Sequence, residues 1–262
     1  MNLRQLRQKY LNDYIHSDID SIEANAELDI LFEDILNVKK IDFVKVTDRL
    51  LCSDNLKKLE NIVQQRLESR KPLQYLLGYT YFYGVKILVE EGALIPRSDT
   101  EILVEEVIKY IKNDNYKTMA DIGVGSGNIS IAISLNCPGL TVVSTDISTK
   151  AIEIASKNIE INGLKENISL INTSFLNNID QKFDVIVSNP PYIPDFKKGE
   201  LQNEVINFEP HNALFTSSEN PLENYEHIAI QAYEKLNSGG LLVVEIESDY
   251  VLDVQNLFIT QG

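Results

Sequence analysis

The chain has 262 residues, 44% of them apolar, which suits one large domain or a core domain with a small additional one. Its formal net charge is −15, and most of the excess of acidic residues falls after residue 71. Because no basic stripe with interleaved aromatic residues is present, the sequence argues against direct nucleic acid binding and suits a basic protein partner.

The first 71 residues are predicted to be helical, because apolar residues recur there at the spacing of one helix face. Three such patterns follow one another without a strand pattern between them, and Pro72 ends the third. They consist of Leu3, Leu6, Tyr10, Leu11 and Tyr14, then Leu28, Leu31, Phe32, Ile35 and Leu36, then Leu56, Leu59, Ile62, Val63 and Leu67. We expect a small antiparallel helical bundle over residues 1–71.

In residues 72–93 the helical pattern gives way to a strand pattern. Two short runs rich in aromatic and β-branched residues, 79–83 and 85–89, flank Gly84 and predict a β-hairpin that connects two lobes. Further on, Ser98 and Glu101 have the spacing of a capping box, so a helix is predicted to begin there.

From residue 118 onward, strand and helix patterns alternate, and such alternation predicts an α/β fold with a parallel sheet and right-handed crossovers over residues 94–262. Gly239-Gly240 is predicted to form the turn into the last strand. The predicted strands are 118–122, 140–145, 168–172, 183–188 and 241–246, and the predicted helices are 127–136, 148–161, 221–236 and 249–259.

A glycine-rich turn follows the first of these strands. Its glycines allow a ligand to approach the backbone closely, but Asn128 stands where a dinucleotide fingerprint needs glycine. The second strand ends near Asp146, which can accept hydrogen bonds from both hydroxyl groups of a ribose. Phe175, after the third strand, could stack on an adenine. A dinucleotide site and an S-adenosylmethionine site both fit these features, and Asp146 alone does not separate them.

Asn189-Pro190-Pro191-Tyr192 directly follows a predicted buried strand. Proline has no backbone N–H, and it pushes the residue before it toward extended geometry, so the loop offers carbonyl acceptors and almost no donors. The side chain of Asn189 adds a further acceptor. A loop with these acceptors would select a group with two N–H donors, either a carboxamide or the exocyclic amine of a base. It therefore indicates chemistry on a planar nitrogen.

Together these motifs resemble the bacterial release factor glutamine methyltransferases, the HemK-type enzymes. The Asn-Pro-Pro-Tyr motif alone is shared with many amino-methyltransferases, including DNA adenine enzymes. The resemblance is carried by residues 121–127, Asp146 and residues 189–192, by Ile95-Pro96-Arg97 with Thr100-Glu101, by Pro72-Leu73-Gln74-Tyr75 with Gly78, and by Glu209-Pro210 with Ala213-Leu214.

The resemblance implies a Rossmann-like S-adenosylmethionine-dependent methyltransferase sheet at 94–262, a helical substrate-docking domain at 1–71 and a hairpin linker at 72–93. It implies methyl transfer from S-adenosylmethionine to the side-chain amide nitrogen of the glutamine in the Gly-Gly-Gln loop of class 1 peptide chain release factors. The residues that it assigns to the cofactor are Asp121, Gly123, Val124, Gly125, Ser126, Gly127, Asp146, Phe175 and Asn189. It assigns the substrate glutamine to Asn189, Pro190, Pro191, Tyr192 and Arg97, with Asn189, Pro190 and Tyr192 as catalytic candidates.

Three other interpretations stay open. An amino-methyltransferase acting on adenine or cytosine would use the same acceptors and flip the base, although the basic surface that it needs is missing. A nicotinamide-dependent oxidoreductase would use a similar sheet, although Asn128 breaks its glycine pattern. A binding module without catalysis is the third.

The remaining expectations concern metal and location. The two cysteines and three histidines have no metal-ligand spacing, so no metal is predicted. The sequence shows no signal peptide, no apolar stretch of membrane-spanning length and no Cys-x-x-Cys motif, and we therefore expect a reduced cytoplasmic protein that is monomeric and binds no membrane.

Overall fold

The computed structural model describes residues 2–40 and 52–261. The chain forms two compact units, Met1–Leu77 and Gly78–Gly262. Over the described ranges, every helix is too short or too polar to span a bilayer. The predicted helical bundle and the predicted α/β sheet lie in different units, and the hairpin is part of the second unit.

The described residues of the first unit are mainly helical, as their apolar spacing predicts, and residues 41–51 of the predicted bundle lie outside the described residues. Its helices bury one face each around a shared core that includes Leu28, Phe32 and Leu59, all fully buried. The first helix begins with a capping box in which Asn2 and Gln5 exchange backbone and side-chain hydrogen bonds. The helices are α1 (Leu3–His16), α2 (Ser21–Leu36), α3 (Ser53–Ser69) and the short α4 (Leu73–Leu77).

A buried ion pair joins α2 to α3. Arg66, whose side chain is 1% exposed, places Nε 3.0 Å from both carboxylate oxygens of Glu27 and Nη2 2.7 Å from Glu23 Oε1. Burial raises the pKa of Glu27, while the guanidinium of Arg66 acts in the opposite direction. Because a charge can be buried only when it is paired, this contact constrains how α2 and α3 pack.

The second unit opens with a β-hairpin and continues as an α/β sheet. The hairpin strands, β1 (Tyr79–Phe82) and β2 (Val85–Leu88), pair antiparallel as predicted. The elements that follow are α5 (Thr100–Asp114), β3 (Thr118–Ile122), α6 (Asn128–Asn136), β4 (Thr141–Asp146), α7 (Thr149–Ile161), β5 (Ile168–Asn172), β6 (Phe183–Ser188), β7 (Ile193–Pro194), α8 (Asn203–Phe208), α9 (His211–Leu214), β8 (Phe215–Thr216), α10 (Glu223–Lys235), β9 (Leu236–Val244) and α11 (Val251–Gln261).

Five parallel strands form the main sheet, in the order β5-β4-β3-β6-β9. From β3 the chain moves outward through β4 to β5 and then returns to the other side of β3 as β6. The strand order thus reverses between β3 and β6, which is where open α/β sheets bind ligands at the carboxyl ends of their strands. The smaller β7–β8 pair lies among the connections that follow β6.

The prediction that Gly239-Gly240 forms the turn into the last strand is wrong. The last strand begins at Leu236, before the glycine pair, because Leu236 pairs with Phe183 and the register then shifts. A side chain at Gly240 would meet the Asp184 carbonyl oxygen at 3.0 Å, so the glycine permits a close backbone approach and does not form a turn into the strand.

The capping box at Ser98 and Glu101 is also absent. Helix α5 begins at Thr100, preceded by Asp99, and no side chain caps it. The carboxylate of Glu101 instead accepts a hydrogen bond from the backbone nitrogen of Tyr83 in the hairpin, at 2.7 Å. A contact distant in sequence has therefore replaced the local one.

Candidate functional site

A cavity of about 380 Å³ opens at the carboxyl ends of β3, β4 and β6. Its volume lies within the range of small-molecule sites, about 300–1,000 Å³. Among its walls are residues that end or directly follow these strands, namely Ile122, Gly123, Thr145, Asp146, Ser188 and Asn189. The cavity therefore occupies the point where the strand order reverses.

The glycine-rich turn after β3 forms one wall of this cavity. The backbone nitrogens of Gly123 and Val124 both donate to the Thr145 carbonyl oxygen at 2.8 Å, which folds the turn back over β4. Gly123 and Gly125 line the cavity and have φ of 80° and 54°, values that favour glycine. The backbone of this turn is thus exposed to a ligand without a side chain in the way.

Gly127 has a different role from the other two glycines. It does not line the cavity, and a Cβ atom there would lie 3.2 Å from Ile131 Cδ1 and 3.4 Å from Ala155 Cβ. Its φ is +85°. We conclude that Gly127 allows α6 to start close against α7.

Asp146 lines the cavity and also holds the glycine-rich turn. Its Oδ2 accepts from the Gly125 nitrogen at 2.9 Å, and its Oδ1 accepts from the Ser148 nitrogen at 2.8 Å. Burial raises the pKa of Asp146, although these backbone hydrogen bonds act in the opposite direction. A carboxylate has about four acceptor positions, more than these backbone groups occupy, so Asp146 can still receive a ligand hydroxyl group.

Asp121 lies beneath the turn and is fully buried. Its Oδ2 accepts from Ser130 Oγ at 2.6 Å, and Ser130 is in turn 2.7 Å from Ser144 Oγ. Its Oδ1 has no hydrogen-bond partner within the described part of the chain. Burial raises the pKa of Asp121 to about 7. Asp121 is absent from the cavity lining, so it supports the turn from below.

The loop after β6 forms another wall of the cavity. Asn189, Pro190 and Pro191 all line it. The Pro191 carbonyl oxygen accepts from Asn224 Nδ2 at 2.8 Å, and Asn189 Nδ2 donates to Thr100 Oγ1 at 3.1 Å. By contrast, Asn189 Oδ1 and the Pro190 carbonyl oxygen have no hydrogen-bond partner among residues 2–40 and 52–261. Two acceptors on residues that line the cavity are therefore free of hydrogen bonds within the described part of the chain.

Tyr192 and Arg97 line a smaller cavity of about 190 Å³, which shares Leu94, Asn189 and Ala213 with the larger one. Arg97 Nη2 lies 2.6 Å from the buried carboxylate of Glu209, whose other oxygen accepts from the Ile95 nitrogen. Burial and the nearby Glu245 carboxylate raise the pKa of Tyr192 far above its usual range, so its hydroxyl group stays protonated. Tyr192 and Arg97 thus line the smaller cavity together with Asn189.

Phe175 lies where the sequence places it, on the cavity wall beyond β5. Its ring centroid is 5.0 Å from that of His227 on α10, with an angle of 34° between the planes. The ring is therefore held by α10 while it also lines the cavity, and it can cover a flat group inside.

The structure brings most of the candidate residues together. Gly123, Gly125, Asp146, Phe175 and Asn189 line one cavity, whereas Asp121, Val124, Ser126 and Gly127 are not part of its lining. Sequence reasoning missed several lining residues, among them Leu94, Asn212, Phe215 and Asn224. None of them belongs to the five strands of the main sheet, and no local pattern in the sequence marks them as ligand-facing.

Two family models match the chain. The model described as Methyltransferase small domain matches residues 98–248, and the model described as PrmC N-terminal domain matches residues 15–78. The first covers the parallel sheet and every lining residue of the larger cavity except Leu94, and the second covers most of the helical unit. The two matches therefore agree with the division of the chain into two units.

Curated relatives cover most of the chain. A release factor glutamine methyltransferase of Fusobacterium nucleatum is 38% identical over 253 residues, which span 94% of this chain and 71% of that protein. Proteins of the same name from Flavobacterium psychrophilum and Lactococcus lactis are 37% and 35% identical, over 88% and 90% of this chain and 81% and 86% of their own lengths.

Solved structures support the architecture. The catalytic domain of hMettl16, in complex with MAT2A 3′UTR hairpin 6, superposes with a TM-score of 0.55 over 88% of this chain and 80% of that one. Its sequence identity to this chain is 15%, so the likeness concerns the fold alone.

Proposed function

This chain belongs to the family of release factor glutamine methyltransferases, and from that premise we propose that it methylates the side-chain amide nitrogen of the glutamine in the Gly-Gly-Gln loop of class 1 peptide chain release factors. The methyl donor is S-adenosylmethionine. The observation that supports the proposal is that Asn189 and Pro190 line the cavity while Asn189 Oδ1 and the Pro190 carbonyl oxygen have no hydrogen-bond partner within the described residues.

The residues of the larger cavity fit the donor. Gly123 and Gly125 leave the backbone open to a close approach, and Asp146 offers acceptors to ribose hydroxyl groups. Phe175 provides a flat apolar wall for an adenine. When bound, S-adenosylmethionine supplies a methyl group that its sulfonium makes electrophilic. Asp121 and Gly127 would act on this site through the shape of the turn.

The target nitrogen is a poor nucleophile because its lone pair is delocalised into the amide carbonyl. We assign Asn189 Oδ1 and the Pro190 carbonyl oxygen to its two N–H groups, which would orient the nitrogen for methyl transfer. Both acceptors are fixed by the rigid prolines and by hydrogen bonds on their neighbours. They bind more strongly as positive charge develops on the nitrogen, which favours the transition state over the ground state.

Pro191, Tyr192 and Arg97 complete the proposed glutamine site. Tyr192 remains a neutral wall, since its hydroxyl group stays protonated, and Arg97 is held by Glu209 beside the smaller cavity. No side chain needs to act as a strong base, because an amide that has gained a methyl group and a positive charge loses its proton readily. The acidic charge of the chain would attract a basic partner surface, and we propose that the enzyme acts as a monomer without direct nucleic acid contact.

The experiment is methyl transfer from labelled S-adenosylmethionine to a purified class 1 release factor. We expect label in the wild-type factor and none in a factor whose Gly-Gly-Gln glutamine is replaced by alanine. Equal labelling of both factors would contradict the proposed target. Duplex DNA with accessible adenines serves as the competing substrate, and labelling of DNA but not of the release factor would favour the nucleic acid alternative.

A further inference from the structure

A chain of hydrogen bonds connects the first and last residues of the loop from Asn189 to Tyr192. Asn189 Nδ2 donates to Thr100 Oγ1 at 3.1 Å, and Thr100 Oγ1 donates to Glu245 Oε2 at 2.6 Å. The hydroxyl group of Tyr192 donates to the other carboxylate oxygen, Glu245 Oε1, at 3.2 Å. The Glu245 carboxylate is therefore connected to both ends of the loop, to Tyr192 directly and to Asn189 through Thr100.

Strand register brings these residues together. Ser188 pairs with Val244 in the parallel strands β6 and β9, so the next residues, Asn189 and Glu245, leave the sheet side by side. The Glu245 nitrogen donates to the Ser188 carbonyl oxygen at 3.0 Å, and the Glu245 carbonyl oxygen accepts from the Tyr225 hydroxyl group at 3.1 Å. The backbone of Glu245 is thus fixed on two sides.

The direction of these hydrogen bonds follows from the chemistry of the carboxylate. An ionised carboxylate can only accept, so Thr100 must use its one hydroxyl hydrogen toward Glu245. The Thr100 oxygen, which is buried, is then only an acceptor for Asn189. Asn189 must consequently present Nδ2 to Thr100, and its Oδ1 remains available to accept a hydrogen bond from a ligand.

We propose that Glu245, acting through Thr100, is a positioning residue that determines which way the Asn189 amide faces. The proposal rests on the proposed function, because the orientation of the Asn189 amide matters only if the target is an N–H donor. Rotation of the amide by half a turn would place its own N–H groups against those of the target nitrogen. Since the side-chain amide torsion is broad, hydrogen-bond partners decide between the two orientations.

Substitutions at Thr100 separate this role from packing. Thr100→Val keeps the shape of the side chain and removes the hydroxyl group, so we expect kcat for methyl transfer to the release factor to fall about 10- to 100-fold. Thr100→Ser keeps the hydroxyl group and should stay within about threefold of wild type. The Kd for S-adenosylmethionine should change less than about threefold in both variants, because Thr100 does not line the larger cavity.

Substitution at Glu245 tests the direction itself. In Glu245→Gln the side chain can donate as well as accept, so Thr100 is no longer forced to donate to it, and kcat should fall about tenfold. The double variant with Thr100→Val should be no more than about twofold slower than the slower single variant, because both changes break the same chain. Glu247→Gln is the matched control, since that carboxylate lies 3.7 Å from Lys197 and outside the chain of bonds; its kcat should stay within about twofold of wild type.

The outcomes distinguish this proposal from the proposed function. If wild-type protein transfers no methyl group to the release factor, the proposed function is wrong and the positioning role falls with it. If wild type is active and Thr100→Val or Glu245→Gln keeps full kcat, only the positioning role is overturned. Effects of the two substitutions that multiply in the double variant, or a matching loss in Thr100→Ser, would also overturn it. Thermal unfolding of each variant identifies any loss that comes from misfolding.

Discussion

The side chain of Asn158 and the backbone of Leu88 exchange two hydrogen bonds. The Leu88 nitrogen donates to Asn158 Oδ1 at 2.7 Å, and Asn158 Nδ2 donates to the Leu88 carbonyl oxygen at 2.9 Å. The same Nδ2 donates to the Ser126 carbonyl oxygen at 2.9 Å. One fully buried amide on α7 therefore ties the hairpin strand β2 to the glycine-rich turn of the cavity.

Asn158→Ala should destabilise the second unit. The substitution leaves the polar backbone groups of Leu88 and Ser126 without their partner, at about 1–3 kcal/mol for each buried group left unsatisfied. Only the Ser126 contact is fully buried, and the two Leu88 contacts are part-buried and cost less, so we expect a total loss of about 2–4 kcal/mol in the free energy of unfolding in urea and faster amide hydrogen exchange at Leu88. Asn162→Ala, at the C-cap directly after the same helix, removes a single side-chain hydrogen bond to the Asn158 carbonyl oxygen and should cost about 1 kcal/mol. Equal losses in the two variants would contradict this role for Asn158.

Asn189→Ala should lower kcat for methyl transfer by about 100-fold or more, because it removes a fixed acceptor that binds the developing charge. The Kd for S-adenosylmethionine should change only a few-fold, which isothermal titration would measure. Asn237→Ala is the matched control, since Asn237 bonds to Asp184 at the opposite end of the strands and should leave kcat unchanged. An unchanged kcat in Asn189→Ala would contradict the proposed role of Asn189 as an acceptor for the target nitrogen.

Asp121 should make stability depend on pH. Its pKa is raised to about 7 by burial, whereas in the unfolded chain it lies near 4, so the native state binds more protons between these values. The free energy of unfolding should therefore fall as the pH rises from about 4 through 7. Asp121→Asn cannot ionise and should lose this part of the dependence, on the order of 1–4 kcal/mol. Denaturant unfolding at several pH values measures it, with exposed Asp180→Asn as control; parallel curves for wild type and Asp121→Asn would refute the prediction.

Arg66→Met should destabilise the helical unit by about 3–5 kcal/mol, because Glu27 stays buried without its cation. The double variant Arg66→Met with Glu27→Leu should recover most of this loss, since it removes the unpaired charge as well. Denaturant unfolding monitored on the helical signal distinguishes the variants. A double variant that is as unstable as the single one would show that packing, not charge, governs this contact.

The chain segments that the sequence predicted best are those whose chemistry lies in consecutive residues. Pro190 and Pro191 lack N–H groups in any fold, and the glycines of the turn have the positive φ values that such a turn requires. The alternation of strands and helices likewise determined a parallel sheet, and a parallel sheet brings the ends of β3, β4 and β6 to one edge. The cavity that contains Gly123, Asp146 and Asn189 follows from that topology.

Tertiary structure alone decided how these groups are held. The sequence pattern places Thr100 at the start of a helix and Glu245 near the end of a strand. Strand register and the packing of α5 bring Thr100 against Asn189 and the Glu245 carboxylate against Thr100. The same holds for Asn158, which reads as one polar residue on a helix, and for Gly240, which lies inside a strand. Local patterns report which face of an element is apolar, whereas hydrogen bonds between residues far apart in sequence depend on register and packing, which no local pattern records.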